Sequence, residues 1–197
     1  IDTYSVDAVR YFALREVPFG SDGSFSEDAL INRTNGDLAN ILGNLVNRTI
    51  GMANKYFDGV VINTKVNEEV DNKLIEETIG LKDVVENYMN GLEVSKAIAG
   101  IFDVLRDCNK YIDETMPWVL AKDESKKDRL ATVLYNLIEC IRICTVLLQA
   151  FIPDTCEKIF NQINTDNISY DSTSEFGGYK SGTRVNKAEV LFQRIEN

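Results

Sequence analysis

The sequence contains no histidine. That removes the commonest general base and the usual partner of a serine or cysteine nucleophile. No glycine-rich phosphate loop stands in a strand-to-helix setting, so hydrolase, kinase and dehydrogenase chemistry start without their machinery. Cysteine is scarce: Cys108, Cys140, Cys144 and Cys156 form no Cys-x-x-Cys pair, and without histidine a mixed zinc site cannot be completed. Cys140 and Cys144 are one helical turn apart, a spacing that can chelate a soft metal. Their apolar neighbours favour two reduced core thiols instead. No apolar run approaches the roughly 20 residues that cross a bilayer. The opening Ile1-Asp2-Thr3-Tyr4 lacks the basic start and apolar centre of a signal peptide. The composition is that of a cytoplasmic, metal-free chain with no membrane partner. It starts without Met inside helical sequence, as a piece of a longer protein would.

Positive charge is also short. Lys and Arg number 21 against 31 Asp and Glu, a net charge of −10. Phosphate contacts need cations, so a protein that coats DNA is excluded as a reading. A protein that reads a few splayed-out bases, with the rest of its partner held elsewhere, is not.

Helical periodicity fills most of the chain. Ser5 caps a helix over Val6–Glu16, with Asp7 well placed in its first turn. Asp22-Gly23 marks a turn, and Ser26, or Ser24 before it, caps a second helix running toward Phe57 with a kink expected at Asn35-Gly36. Further helices follow over Glu68–Met89, Val94–Glu114 and Lys126–Phe151, then a short one from Pro153 to Ile163. Pro117 disfavours helical geometry at Met116 and marks a corner. From Asn164 the texture turns to Ser, Thr, Asn and Gly, and Lys187–Ile195 reads as a strand or an extended tail on the surface. The expectation is an all-α bundle of five to six helices with an irregular C-terminal tail that has room for a short strand.

The second helix carries two stripes. Leu38, Ile41, Leu42, Leu45, Thr49, Met52 and Tyr56 recur at three- and four-residue steps as an apolar face. At about 100° per residue, Asn40, Asn44, Arg48, Gly51 and Lys55 form a polar stripe roughly 100° round from it. That is a groove-edge position, where packing orients a side chain that can still meet a ligand. Several charged groups read as plain surface: Lys126, Lys127 and Arg129 as a solvated helix start, and Glu68, Glu69, Asp71, Glu76 and Glu77 as a solvent face. Asp22-Gly23 also resembles part of a calcium loop, without the remaining ligands.

Several blocks, in order along nearly the whole chain, resemble the methionyl-tRNA synthetase family. Asp7-Ala8-Val9-Arg10-Tyr11-Phe12, Arg15-Glu16-Val17-Pro18-Phe19-Gly20 and Asp22-Gly23-Ser24-Phe25-Ser26 are similar to the stretch after that family's nucleotide-site signature loop. Asp37-Leu38-Ala39-Asn40 with Gly43-Asn44-Leu45-Val46-Asn47-Arg48 resembles its first anticodon helix. Glu114-Thr115-Met116-Pro117-Trp118-Val119-Leu120-Ala121-Lys122 resembles its Pro-Trp element. Gly177-Gly178, Gly182-Thr183 and Leu191-Phe192-Gln193-Arg194-Ile195-Glu196 resemble the end of its core.

The resemblance implies a class I synthetase fragment that lies downstream of the active site, with no catalytic residue and no metal or cofactor of its own. ATP would be used by the absent catalytic domain, since neither class signature motif nor the family's metal knuckle is in this sequence. It implies three segments: 1–25 joining the catalytic core, 26–163 binding the anticodon, and 164–197 packing back as a tail. The implied partners are the anticodon loop of methionine tRNA and the parent catalytic domain. Asn44, Arg48 and Trp118 match the family's anticodon contacts, with Pro117 fixing the turn that presents Trp118. Asn40, Lys55 and Lys122 are secondary candidates for the RNA backbone. Each has a bland reading too: a lone Trp is commonly a core residue, and Arg48 can simply pair with a nearby carboxylate. Another class I synthetase, or a helical protein-interaction module, stands as the rival reading.

Overall fold

The computed structural model describes residues 4–17, 20, 23 and 25–196. Helix α1 spans Val6–Glu16, and the Ser5 hydroxyl accepts the Ala8 N–H at its start. Asp7 is buried, and its Oδ2 accepts the Thr155 N–H at 2.6 Å. It thereby caps helix α8, Pro153–Ile163, whose proline stands in its first turn as the sequence predicts. Arg10 donates to the carbonyls of Phe151 and Ala150, closing the same corner.

Helix α2, Glu27–Arg33, begins at a Ser26 cap; Ser24 and Asp22, the other predicted signals here, lie outside the described residues. The predicted kink at Asn35-Gly36 is not a break. The helix widens into a π stretch over Thr34–Gly43 and returns to α geometry in α3, Asn44–Phe57. A β-carbon on Gly43 would stand 3.1 Å from the Leu38 carbonyl oxygen, so glycine suits the end of the wide turn. Within it, buried Asp37 accepts the Tyr11 hydroxyl at 2.7 Å and Arg33 at 3.1 Å. Asp58 and Gly59, both at positive φ, end α3 where the sequence marks a stop.

Helices α4 (Glu69–Asn90) and α5 (Val94–Thr115) form an antiparallel pair joined at Gly91–Glu93. A short helix α6, Pro117–Leu120, turns the corner into α7, Lys127–Leu148, which runs through the centre of the molecule. Almost every α7 side chain is buried. By length and composition alone this helix is apolar enough to cross a membrane, contrary to the reading of the sequence; all of its apolar stretch is enclosed by the other helices. All four cysteines are free and buried. A hydrogen bond to Cys140, together with burial, pushes the Cys108 thiol well up, and burial does the same to Cys144. These are inert core thiols.

Two predicted surface groups are interior. Asp71 and Arg129 are both buried and pair at 2.6 Å, although the one reads as a solvent-face acid and the other as part of a basic cluster. They face each other across α4 and α7, a coincidence of tertiary packing that sequence periodicity does not encode.

The tail after Asn164 is docked by buried charge. Glu139 accepts the N–H groups of Gly177, Gly178 and Tyr179 at 2.8–2.9 Å. Arg142 donates to both Glu139 oxygens and to Asn167 O, Ser172 Oγ and Ser172 O. The strand in the tail is not at Lys187–Ile195. Strand β2, Thr183–Arg184, pairs antiparallel with β1, Val60–Val61. Residues 187–195 run extended over the surface, and the Asn35 side chain both accepts from Ile195 N–H and donates to Ile195 O.

Candidate nucleic-acid interface

The residues predicted to read RNA lie on α3 and on the α5–α6 corner. Helix α5 stops because Met116 is left-handed (φ 44°) and Pro117 follows it. Left-handed geometry costs a non-glycine residue roughly 1–2 kcal/mol, so the corner is strained, and it is held from both sides. The Met116 N–H still bonds Ile112 O, and the Met116 carbonyl accepts from Val119 and Leu120. Pro117 is buried and serves as the first residue of α6. The outcome is that Trp118 projects outward: it is 42% exposed, with Met116 and Val119 equally open beside it. The indole is not a core residue.

The last turn of α5 is anchored from below. Tyr111 donates its hydroxyl to Asp71 at 2.6 Å, and Asp71 also accepts two hydrogen bonds from Arg129. Burial opposes ionisation of Asp71, but the hydrogen bonds from Arg129, Tyr111 and the Glu68 N–H outweigh it and hold the carboxyl below its usual range. Burial, reinforced by Asp71, pushes the Tyr111 hydroxyl up, so it stays a donor. This network fixes α4, α5 and α7 at the end of the bundle that presents Trp118.

Arg48 faces the same end. Its Nη2 lies 3.4 Å from Asp113 Oδ1, on the last turn of α5. The bland expectation for Arg48, a carboxylate partner on a solvated face, is therefore met, and the same contact brings the guanidinium to the helix that leads into Trp118. Asn109, one turn before Asp113, donates to Ile41 O and ties α5 to the π stretch. Asn44 is exposed, one α-helical turn before Arg48. Asn40 is exposed too, but it lies within the π stretch, where the Asn44 N–H bonds back five residues to Ala39 O. The stripe drawn at α-helical pitch therefore does not extend unchanged from Asn44 to Asn40. Lys55 and Lys122 are exposed, with Lys55 Nζ over the Tyr56 ring at 5.2 Å. The π stretch itself is what sequence reasoning missed; the only signals were Gly36 and Gly43 in an otherwise helical pattern. Such insertions are frequent at functional sites. Among the described residues, no group of three acidic or thiol side chains is placed to hold a metal.

The chain matches known families along nearly its full length. Residues 61–197 match a family described as the anticodon binding domain of methionyl tRNA ligase, and residues 1–50 match class I tRNA synthetases of the methionine type. It is 53% identical to a methionine–tRNA ligase of Caldanaerobacter subterraneus and 48% identical to one of Clostridium tetani. All of this chain is covered in both, and it spans 31% of the length of each relative. The fold is similar to that of Mycobacterium tuberculosis methionyl-tRNA synthetase in complex with methionyl-adenylate, with a TM-score of 0.92 and 35% identity over 97% of this chain and 38% of that one. The free form of the same enzyme gives a TM-score of 0.91 at 36% identity, over 98% of this chain and 39% of that one. The chain belongs to the methionyl-tRNA ligase family, with residues 61–197 matching its anticodon-binding domain.

Proposed function

We propose that this chain binds the anticodon loop of methionine tRNA, and that in the parent ligase it selects the tRNA whose acceptor end is charged elsewhere in an ATP-dependent reaction. No residue here is assigned to that reaction. The observation that carries the reading is the open indole of Trp118 at a strained corner, on the same end of the bundle as Arg48.

An anticodon is single-stranded, so its bases can be unstacked, laid on an aromatic ring and hydrogen-bonded along their pairing edges. Stacking contributes about 1–3 kcal/mol per base and is indifferent to sequence. Selectivity comes from polar neighbours. Cytosine, the first base of a methionine anticodon, offers two acceptors and one amino donor. Arg48 supplies donors for the former, and the Asn44 side-chain carbonyl accepts from the latter. Pro117 holds the platform, while Lys55, Lys122 and Asn40 are backbone contacts. With a net charge of −10 the chain attracts phosphate weakly, so affinity rests on these few contacts. A cytoplasmic setting accords with four reduced thiols.

Trp118 is the single tryptophan, so indole fluorescence during titration with a methionine anticodon stem-loop reports the contact directly. Quenching that weakens when the first anticodon base is changed supports the reading. An unchanged signal with every stem-loop sinks it.

A further inference from the structure

The chain holds two Asn-Gly pairs, Asn35-Gly36 and Asn90-Gly91. The side-chain amide of an asparagine can be attacked by the next backbone nitrogen, and glycine has no β-carbon to shield that nitrogen. The reaction needs the side chain free to turn and the backbone free to leave helical geometry. The fold treats the two pairs in opposite ways.

Asn35 lies inside the continuous helix 27–57, in its π stretch. Its side-chain carbonyl accepts the Ile195 N–H at 2.8 Å, and its NH2 group donates to Ile195 O at 2.9 Å. Turning that amide toward Gly36 breaks both bonds, and freeing Gly36 opens a helix in its middle. Asn90, by contrast, is the exposed last residue of α4. The Gly91 N–H has a single end-of-helix bond, to Asn87 O at 3.2 Å. The corner then closes on Leu92, which is left-handed (φ 59°) and 59% exposed. That geometry disfavours a residue with a β-carbon, and glycine stands one place before the position that would use it. A strained helix end of this kind opens at small free-energy cost, whereas the middle of a helix opens only with a larger unit.

We infer that Asn90 is a site of spontaneous deamidation in the folded protein, with water as the only co-reactant, and that the fold protects Asn35 in the same dipeptide. The Gly91 nitrogen bonds to the Asn90 side-chain carbonyl carbon and gives its proton to solvent. The bond to the amide nitrogen breaks, and ammonia leaves with a proton from water. Water then opens the five-membered imide at either carbonyl. One opening gives aspartate; the other gives isoaspartate, with the backbone rerouted through the side chain. Either product sets a carboxylate at the C-terminal end of α4, one turn after Glu86, where the helix dipole and that neighbour both disfavour it. The site is at the far end of α5 from Trp118, about 33 Å away along 22 residues of helix, and the inference does not rest on the RNA reading.

The test holds the folded chain in mildly alkaline buffer, digests samples with trypsin and reads them by mass spectrometry. Asn90 falls in fragment 83–96 and Asn35 in fragment 34–48. Exchange of NH2 for OH, located by fragmentation, accumulates at Asn90 about tenfold faster than at Asn35, because only the former opens locally. A methyltransferase specific for isoaspartate labels fragment 83–96 and not fragment 34–48. In chain unfolded by urea, the two asparagines convert at similar rates. Gly91→Ala supplies the second variant: at φ −82° the nearest listed neighbour of an added β-carbon is 3.5 Å away, so the corner accepts it. It shields the attacking nitrogen, and conversion at Asn90 falls several-fold while the melting temperature is kept. Equal rates at the two sites in the folded chain overturn the inference, as does faster conversion at Asn35. A rate at Asn90 that Gly91→Ala leaves unchanged overturns it too. If the difference between the sites persists undiminished in urea, protection by the fold is overturned.

Discussion

Arg48 and Asp113 join the middle of α3 to the last turn of α5, with Nη2 and Oδ1 3.4 Å apart. Both side chains are open to solvent, and an ion pair of that kind contributes at most about 1 kcal/mol to stability. Its consequence is directional: the guanidinium is held toward Asp113, which lies five residues before Trp118 in the helix that leads into the corner. Arg48→Lys keeps the charge but loses the planar fork that matches paired acceptors. The variant should melt within about 2 °C of the parent chain. It should lose about tenfold of its preference for cytosine over uracil at the first anticodon position, measured by titration of paired stem-loops. Unchanged discrimination would remove Arg48 from base readout.

Trp118→Ala separates an RNA platform from a packing residue. Because the indole is 42% exposed, its removal leaves no enclosed cavity, and thermal stability should change by less than about 1 kcal/mol. Stem-loop affinity should fall by about 1–3 kcal/mol, the contribution of one stacked base, with Trp118→Phe recovering part of it. Fluorescence is lost in both, so binding is followed by anisotropy of a labelled stem-loop. A large drop in melting temperature with unchanged affinity would return Trp118 to the protein interior.

The helices were legible because their signals are local. Ser5, Ser26, Pro153 and the Asp58-Gly59 stop act within one turn of their own positions, and the structure has them where the sequence puts them. Pro117 likewise announces the corner that turns Trp118 outward. What stayed hidden depends on distant partners. Asp71 and Arg129 carry the residue types of a surface, and their burial follows from α4 meeting α7. Within the π stretch, Asp37 is held by Tyr11 and Arg33, of which only Arg33 lies on the same helix. Glu139 and Arg142, three residues apart in the most apolar helix, were the one visible hint of a buried polar anchor, and the glycines that Glu139 binds lie about 40 residues away.

Acid should act on the bundle through Asp71. Its folded-state carboxyl is held below the ordinary Asp value of about 3.9. Its ionised form therefore stabilises the fold above the unfolded-state value, and that stabilisation is lost as pH falls through the lowered folded one. Urea midpoints should drop as pH is lowered from about 5 toward 2. Asp71→Asn should be less stable at pH 7, because buried Arg129 keeps only the solvent-exposed Glu68, 3.3 Å away, as a counter-charge, and its midpoint should depend less on pH over the same range. Equal acid slopes for the two chains would show that other carboxylates dominate.

The buried pair in α7 makes the most demanding prediction. Glu139 binds three successive backbone N–H groups, and Arg142 spends its donors on Glu139, Asn167 and Ser172, so neither has a spare partner. Glu139→Gln leaves the guanidinium charge uncompensated inside the protein, a change that costs about 3–5 kcal/mol. Gly178→Ala reaches the same anchor from the other side, because its β-carbon would stand 2.5 Å from Arg142 Nη2 and 2.8 Å from Asn167 Nδ2. Arg142 cannot swing aside without breaking bonds it has no water to replace. Both variants should release residues 164–182 to proteases well before the helices unfold, and lower the melting temperature by about 10 °C or more. Below that temperature, stem-loop binding should persist, since the Trp118 corner is anchored by Asp71 and Arg129 instead. Protease resistance equal to the parent chain in both variants would show that β2 and the Asn35–Ile195 contacts hold the tail without the buried pair.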